Sequence, residues 1–171
     1  MWWNRKHEEK ATASNAGPAL SAALLYGHTG DASTLAWAER VYGFWNGSMT
    51  DAASGAVTDH YKTENGSCTE VGWSFTYNEG LMLGAATALA NATSAPAYSR
   101  DAARFAGHLV LVQTRDRILF DGCEGKCTCC DCQSFKGIAV RELARWVGAE
   151  GYGGLVPPQV SFIQPIFKYS K

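Results

Sequence analysis

Trp73-Ser74-Phe75-Thr76-Tyr77-Asn78-Glu79-Gly80-Leu81-Met82-Leu83-Gly84-Ala85-Ala86 is the stretch whose reading decides the fold. Aromatic and amide side chains crowd its first half, and a helix of Gly, Ala and Leu leaves its second half. So many small residues in one helix imply neighbouring helices pressed close along the Ala/Gly face. So rich an aromatic lead-in implies that the lead-in lines something. Both halves recur in weaker form. Ser14-Asn15-Ala16-Gly17 and Ser134-Phe135-Lys136-Gly137 stand where Tyr77-Asn78-Glu79-Gly80 stands. At an offset of 64 residues, Thr29 matches Thr93, Ala38 matches Ala102, Arg40 matches Arg104 and Val41 matches Phe105. Each unit reads as lead-in loop, Gly, inner helix, short turn, outer helix and long loop.

Working outward, apolar residues at helical spacing mark five helices. The first runs from about Ser14–Pro18 to Tyr26, with Pro18 expected in its first turn. The second carries the stripe Leu35, Ala38, Tyr42, Trp45 and Met49, capped by Asp31 or Ser33. The third covers about Thr76 to Ala92, the fourth Pro96 to about Val112, and the fifth Ser134 to about Val147. Val160 to Tyr169 reads as a sixth short helix or an extended end. Thr50 to Ser74 and Arg115 to Asp131 read as long irregular connections, and connections of that length in a compact domain are usually functional. The expected fold is therefore all-α, with about three helix-pair repeats forming part of an α/α toroid or helical solenoid. Its long loops all emerge on one face. Residues 1–171 form a single partial domain, with a cysteine-rich loop at 115–133. Neither end reads as a polar capping unit, so pieces are expected to be missing.

Composition narrows the function classes. Apolar residues make up 46% and charged residues 18% of the 171, as in an ordinary globular domain. A net charge of −1 with scattered Lys and Arg lacks the basic footprint of a nucleic-acid binder. No apolar run approaches the roughly 20 residues that span a bilayer. Met1-Trp2-Trp3-Asn4-Arg5-Lys6 has no apolar segment of a signal peptide. Yet Asn46-Gly47-Ser48, Asn65-Gly66-Ser67 and Asn91-Ala92-Thr93 are glycosylation sequons, placed near expected helix ends or loops. Six cysteines also fit an oxidising compartment. Secretory chemistry without a signal predicts a true N-terminus upstream, and a secreted, cell-wall or cell-surface location.

The cysteines are Cys68, Cys123, Cys127, Cys129, Cys130 and Cys132. One reading joins Cys68 to a member of the run and pairs the rest locally; the other wraps a metal in thiolates. Spacing does not choose among the 15 possible pairings of six cysteines. We favour disulfides, with no metal and no cofactor. Trp2, Trp3, Trp73, Phe75 and Tyr77, at loop–helix junctions, offer planes on which the C–H face of a sugar packs, while Asn, Asp and Gln bond its hydroxyls. Trp37 or Trp45, and Trp146, are expected in the core instead. Glycoside hydrolysis needs paired carboxylates, and this chain has no two consecutive aspartates. Glu8-Glu9 reads as a solvated charge cluster. Glu79 and Asp131 are expected on the functional face, and no nucleophile–base motif or phosphate-binding loop is found.

Thr76-Tyr77-Asn78-x-Gly80, then the Leu/Gly/Ala helix, then Cys123-Glu124, Cys127, Asp131, Gln133-Ser134-Phe135-Lys136-Gly137 and Ala144-Arg145-Trp146 resemble glycoside hydrolase family 76. These are the endo-α-1,6-mannanases, including the fungal cell-wall mannosidases. Trp2-Trp3-Asn4 resembles a segment of the same family, and the likeness covers nearly the whole chain. It implies an (α/α)6 toroid acting on α-1,6-linked mannan, by hydrolysis or by transglycosylation in wall remodelling. The α-mannan polysaccharide or another mannose-containing glycan is the implied partner. It further implies two consecutive aspartates, one nucleophile and one acid/base, that precede Met1, so this chain alone is expected to be inactive. Tyr77, Asn78, Asp131, Gln133 and Trp3 become the implied sugar contacts. Relatives have Asp directly before Gln where this chain reads Asp131-Cys132-Gln133. The cysteine spacing is also tighter, and 160–171 does not match the family's last helix pair. A non-catalytic carbohydrate-binding or wall-structural remnant, and a cysteine-rich metal-binding helical protein, are the competing readings.

Overall fold

A computed structural model describes residues 1–64, 66–124 and 131–150. In chain order the elements are β1 (Glu9–Ala11), α1 (Thr12–Thr29), α2 (Ala32–Met49), β2 (His60–Glu64) and β3 (Ser67–Val71). They continue with α3 (Thr76–Thr93), α4 (Pro96–Leu111), β4 (Thr114–Arg115), β5 (Ile118–Leu119) and α5 (Asp131–Glu150). α1, α3 and α5 are the inner helices, with α3 packed between the other two; α2 lies outside α1 and α4 outside α3. This is the repeat read from the sequence, and the expected sixth helix at 160–169 lies outside the described residues.

α3 explains its own composition. It is buried from Thr76 to Ala90 at every position but Tyr77, as a helix surrounded by neighbours must be. A side chain at Gly80 would bring its Cβ within 2.8 Å of Ala139 Cα, and one at Gly84 within 2.6 Å of Glu142 Oε2. α5 therefore approaches through positions that only glycine leaves open. Glu142 reaches this contact fully buried, its charge answered by Arg141 at 2.6 Å and Arg145 at 2.5 Å. The outer helices follow the stripes: Ala38, Tyr42, Trp45 and Met49 of α2, and Ala102, Phe105, Ala106 and Leu109 of α4, are buried. Between them Tyr42 donates to Asp101 at 2.8 Å, and within α4 Arg104 pairs with the same Asp101 at 2.9 Å. Trp45 and Trp146 are core residues as expected, and Trp37 is half-buried.

Three features differ from the all-α reading. The Thr50–Ser74 connection contains a hairpin, β2 paired antiparallel with β3 in the register Glu64↔Ser67 to His60↔Val71. In sequence, Asn65-Gly66 between the two strands is a strong two-residue hairpin signal. β1 joins the other edge of β2, with Ala11 opposite His60, so Glu9 belongs to a strand rather than to a solvated run. A second, two-stranded hairpin, β4–β5, follows α4. Pro18 also lies inside α1, not in its first turn. The Thr12 N–H donates to the Asp59 carbonyl at 2.8 Å, so the helix starts at the strand's end and the Ser14 carbonyl lacks the N–H a proline cannot supply. Asp31, not Ser33, caps α2, accepting the Ser33 N–H at 2.9 Å.

Candidate active-site face

The first turns of the inner helices and the two hairpins lie at one end of the bundle. Asp59 is its hub. Its carboxylate accepts the Tyr77 hydroxyl and the Asn78 amide, the latter at 3.2 Å, and lies 2.7 Å from His60 Nδ1. Its backbone carbonyl receives the first N–H of α1. One buried residue thus ties the starts of α1 and α3, where the helix dipoles favour negative charge. Burial first, and then the bond to Asp59, push the Tyr77 hydroxyl far above its usual range, so it remains a protonated donor. Behind Asp59, Trp45 Nε1 donates to Thr12 Oγ1 at 2.7 Å, and that hydroxyl donates to the Thr58 carbonyl at 2.7 Å.

An arc of rings spreads from this hub. The His60 ring meets Trp73 edge-on at 5.5 Å, and Trp73 meets Phe75 at 6.0 Å. Phe75 stacks on Tyr77 at 6.1 Å, and Phe135 of α5 closes on Phe75 at 5.1 Å and on Tyr77 at 4.6 Å. Trp73 is 58% exposed and offers a free face. Beside it an open groove of about 540 Å³ is lined by Gly72, Trp73, Ser74, Phe75, Gly122 and Cys123.

Asp121, after β5, holds the arc from below. It accepts the Thr76 N–H at 2.6 Å and the Thr76 hydroxyl at 2.9 Å, supplying α3 with a cap that Phe75 cannot provide. Burial raises the Asp121 carboxyl above its usual range. Its own N–H donates to Glu124, which pairs with Lys136 of α5 at 2.9 Å. A Cys123–Cys132 disulfide gives the same loop a covalent tie to α5.

The structure places Tyr77 and Asn78 together on Asp59, with Asn78 itself fully buried. Asp131 is the exposed first residue of α5, and the Gln133 side chain lies outside the described residues. Trp3 is 58% exposed on the segment before β1, its N–H bonded to the Glu9 carbonyl at 2.7 Å; it makes no ring contact with the arc. Glu79 is not on this face. It is wholly buried toward α4, where its Oε1 accepts the Val57 N–H at 2.9 Å and lies 3.2 Å from His108 Nδ1. The helical step of about 100° per residue turns it away from Tyr77 and Asn78. Burial raises its carboxyl.

Cys68 does not join the cysteine run: it is an exposed free thiol on β3, whose side faces solvent, while Cys123 finds its partner in Cys132. Cys127, Cys129 and Cys130 lie outside the described residues, as does Asn65. Asn91 is exposed in the last turn of α3. Asn46 is not a loose helix-end residue. Its amide donates to Asp101 at 3.0 Å and accepts from Arg104 at 3.0 Å and Thr50 at 2.9 Å. No group of three or more His, Cys, Asp and Glu is arranged to hold a metal among the described residues. The residues that sequence reasoning missed are Asp59, His60 and Asp121. The Asn65-Gly66 turn was the available signal, since it places His60 on a strand.

Paired inner and outer helices with their lead-in loops on one face define part of an α/α toroid of the glycosidase kind. The chain belongs to glycosyl hydrolase family 76, whose family model matches residues 1–168. It is 34% identical over 146 residues to a mannan endo-1,6-alpha-mannosidase of Candida glabrata, covering 82% of this chain and 32% of that protein. With the corresponding enzyme of Eremothecium gossypii it shares 29% identity over 171 residues, 88% of this chain and 38% of the relative. Among solved structures it resembles an alpha-1,6-mannanase of Salegentibacter sp., an inactive variant with two adjacent aspartates replaced, in complex with alpha-1,6-mannotriose. There the TM-score is 0.83 at 28% identity, over 96% of this chain and 48% of that one. Dfg5 of Chaetomium thermophilum, in complex with glucosamine, aligns with a TM-score of 0.81 at 25% identity, over 98% and 40%. The chain spans about a third of the length of the curated relatives it matches.

Proposed function

We propose that this chain supplies a sugar-contacting wall of a mannan endo-1,6-α-mannosidase that works at the cell surface or wall. The observation that carries this reading is the arc of Trp73, Phe75, Tyr77 and Phe135 joined to buried Asp59 and Asn78. Flat rings pack on the C–H faces of a pyranose, and fixed polar groups at their margin select its hydroxyls. The α-1,6-mannotriose complex of the Salegentibacter relative supports the choice of ligand. Sequons and a disulfide support a location outside the cytosol.

Turnover requires an acid/base and a nucleophile on either side of the bond. The relative's inactive variant has two adjacent aspartates replaced, and this chain has no such pair. This chain by itself therefore binds α-1,6-mannan without cleaving it. Titration of the chain with α-1,6-mannotriose tests the reading. We expect saturable binding, weakened about tenfold (about 1.4 kcal/mol) in Tyr77→Ala. Equal binding by that variant, or no binding by the unchanged chain, overturns it. Reducing sugar released from α-1,6-mannan by the purified chain would refute the claim of inactivity. Binding without turnover is also the behaviour of a non-catalytic carbohydrate-binding remnant, which the intact arc favours equally.

A further inference from the structure

We propose that His60 is a sugar-contacting residue, a hydroxyl acceptor whose tautomer is set by Asp59; the inference rests on the sugar-binding reading above. A carboxylate only accepts, so the 2.7 Å contact between Asp59 Oδ2 and His60 Nδ1 places the ring proton on Nδ1. With the proton on Nδ1, a neutral ring has its lone pair on Nε2. Nε2 makes no hydrogen bond among the described residues, yet it is not one of the buried side-chain atoms left without a partner. The residue is otherwise enclosed, only 6% exposed, which leaves Nε2 as the unbonded polar atom of a nearly buried ring.

That end is held with little freedom. His60 opens β2, its backbone in register with Ala11 on one side and Val71 on the other. Trp73 stands edge-on to the ring at 5.5 Å. Trp73 is also the exposed member of the arc and lines the groove with Phe75 and Gly122. A pyranose stacked on Trp73 therefore has a fixed acceptor at its margin. Asp59 Oδ1 accepts from Tyr77 and Asn78 while Oδ2 faces His60, so one carboxylate orients all three neighbours. The ligand class is a pyranose with a free hydroxyl at the edge of its stacked ring, and α-1,6-mannotriose is the probe.

Long-range proton–nitrogen NMR of the full chain, with α-1,6-mannotriose added stepwise, reads this directly. The expected result is an Nδ1–H ring in the free protein and an Nε2 resonance that moves in step with saturation. An Nε2–H ring, or an Nε2 signal unmoved while binding saturates, overturns the assignment of His60 and leaves the sugar-binding reading standing. Absence of binding overturns both. Variants give a second readout. His60→Ala is expected to weaken binding about tenfold, and His60→Gln, whose amide oxygen can replace the acceptor, to recover most of it. Asp59→Asn keeps the shape but offers an N–H to Nδ1, moving the ring proton to Nε2 and turning acceptor into donor. It is expected to weaken binding to the same degree as His60→Ala, whereas unchanged affinity with a moved proton would refute the proposal.

Discussion

α3 is buried at nearly every position between Thr76 and Ala90, whereas α1, in the equivalent place of the repeat, is buried only at Thr12, Asn15, Ala16, Ala19, Leu20 and Ala23. The two helices have similar mean composition and carry the same Asn–x–Gly element. What separates them is company: α3 has inner helices on both flanks and α4 behind, while α1 leaves Leu24 and Leu25 37% and 51% exposed. Burial in this architecture is a property of the place in the ring. A small-residue helix becomes core only where neighbours come close enough to need the small residues.

Substitutions at matched positions break or sharpen that contrast. Leu83→Ala in α3, at a site with no exposed surface, should lower unfolding free energy by about 2–5 kcal/mol in urea titration, against less than about 0.5 for Leu25→Ala in α1. Gly80→Ala comes next. Its methyl meets the Ala139 backbone, so α5 must shift, at a cost of about 1–3 kcal/mol by the same measurement. The matching change in α1, Gly17→Ala, meets nothing within 4 Å beyond its chain neighbours and should stabilise by at most about 0.5–1 kcal/mol, helix propensity being partly offset by the new methyl beside Pro18. If both glycine changes gave the same sign, place in the ring would not be what distinguishes the helices.

The smallest effect concerns Glu79. Its carboxyl is raised in the folded state by burial, so folding favours the protonated form. Stability from this group is complete below the ordinary glutamate range and is lost as pH rises through the raised value. Glu79→Gln removes the dependence: the difference in midpoint between variant and parent should grow in the variant's favour as pH rises. A difference independent of pH would show that Glu79 ionises in the folded protein as it does in the unfolded one.

The helices were legible because each carries a periodic apolar stripe, and the stripe Leu35 to Met49 states which face of α2 is inward. The close approach of α5 was legible in Gly80 and Gly84 for the same reason: small residues in a buried helix have few other uses. The hairpins were not read, because His60–Glu64 and Ser67–Val71 bear mostly polar side chains on both faces, and period-two alternation is absent where neither face is core. The candidate site was half legible. Tyr77 and Asn78 stand out beside the helix start, but Asp59 and His60 acquire meaning only once the hairpin lays them across two helix ends. Glu79 was misplaced because adjacency in sequence was read as adjacency on a face, and one helical step separates it from Asn78.

The cap of α3 comes from Asp121, 45 residues along the chain from Thr76. A helix whose first turn depends on so distant a carboxylate cannot complete that turn until α4 is built and the chain has come back. The loop-closure entropy of that return falls on the end of α3 that carries Tyr77 and Asn78, not on its Ala-rich body. The two ends of one helix thus belong to different stages of folding. The body is set by local contacts, and the mouth waits for topology. Amide exchange at Thr76 should therefore follow the docking of the 120–124 loop rather than the melting of α3. The candidate site face becomes the part of the molecule that reports whether the whole chain has closed.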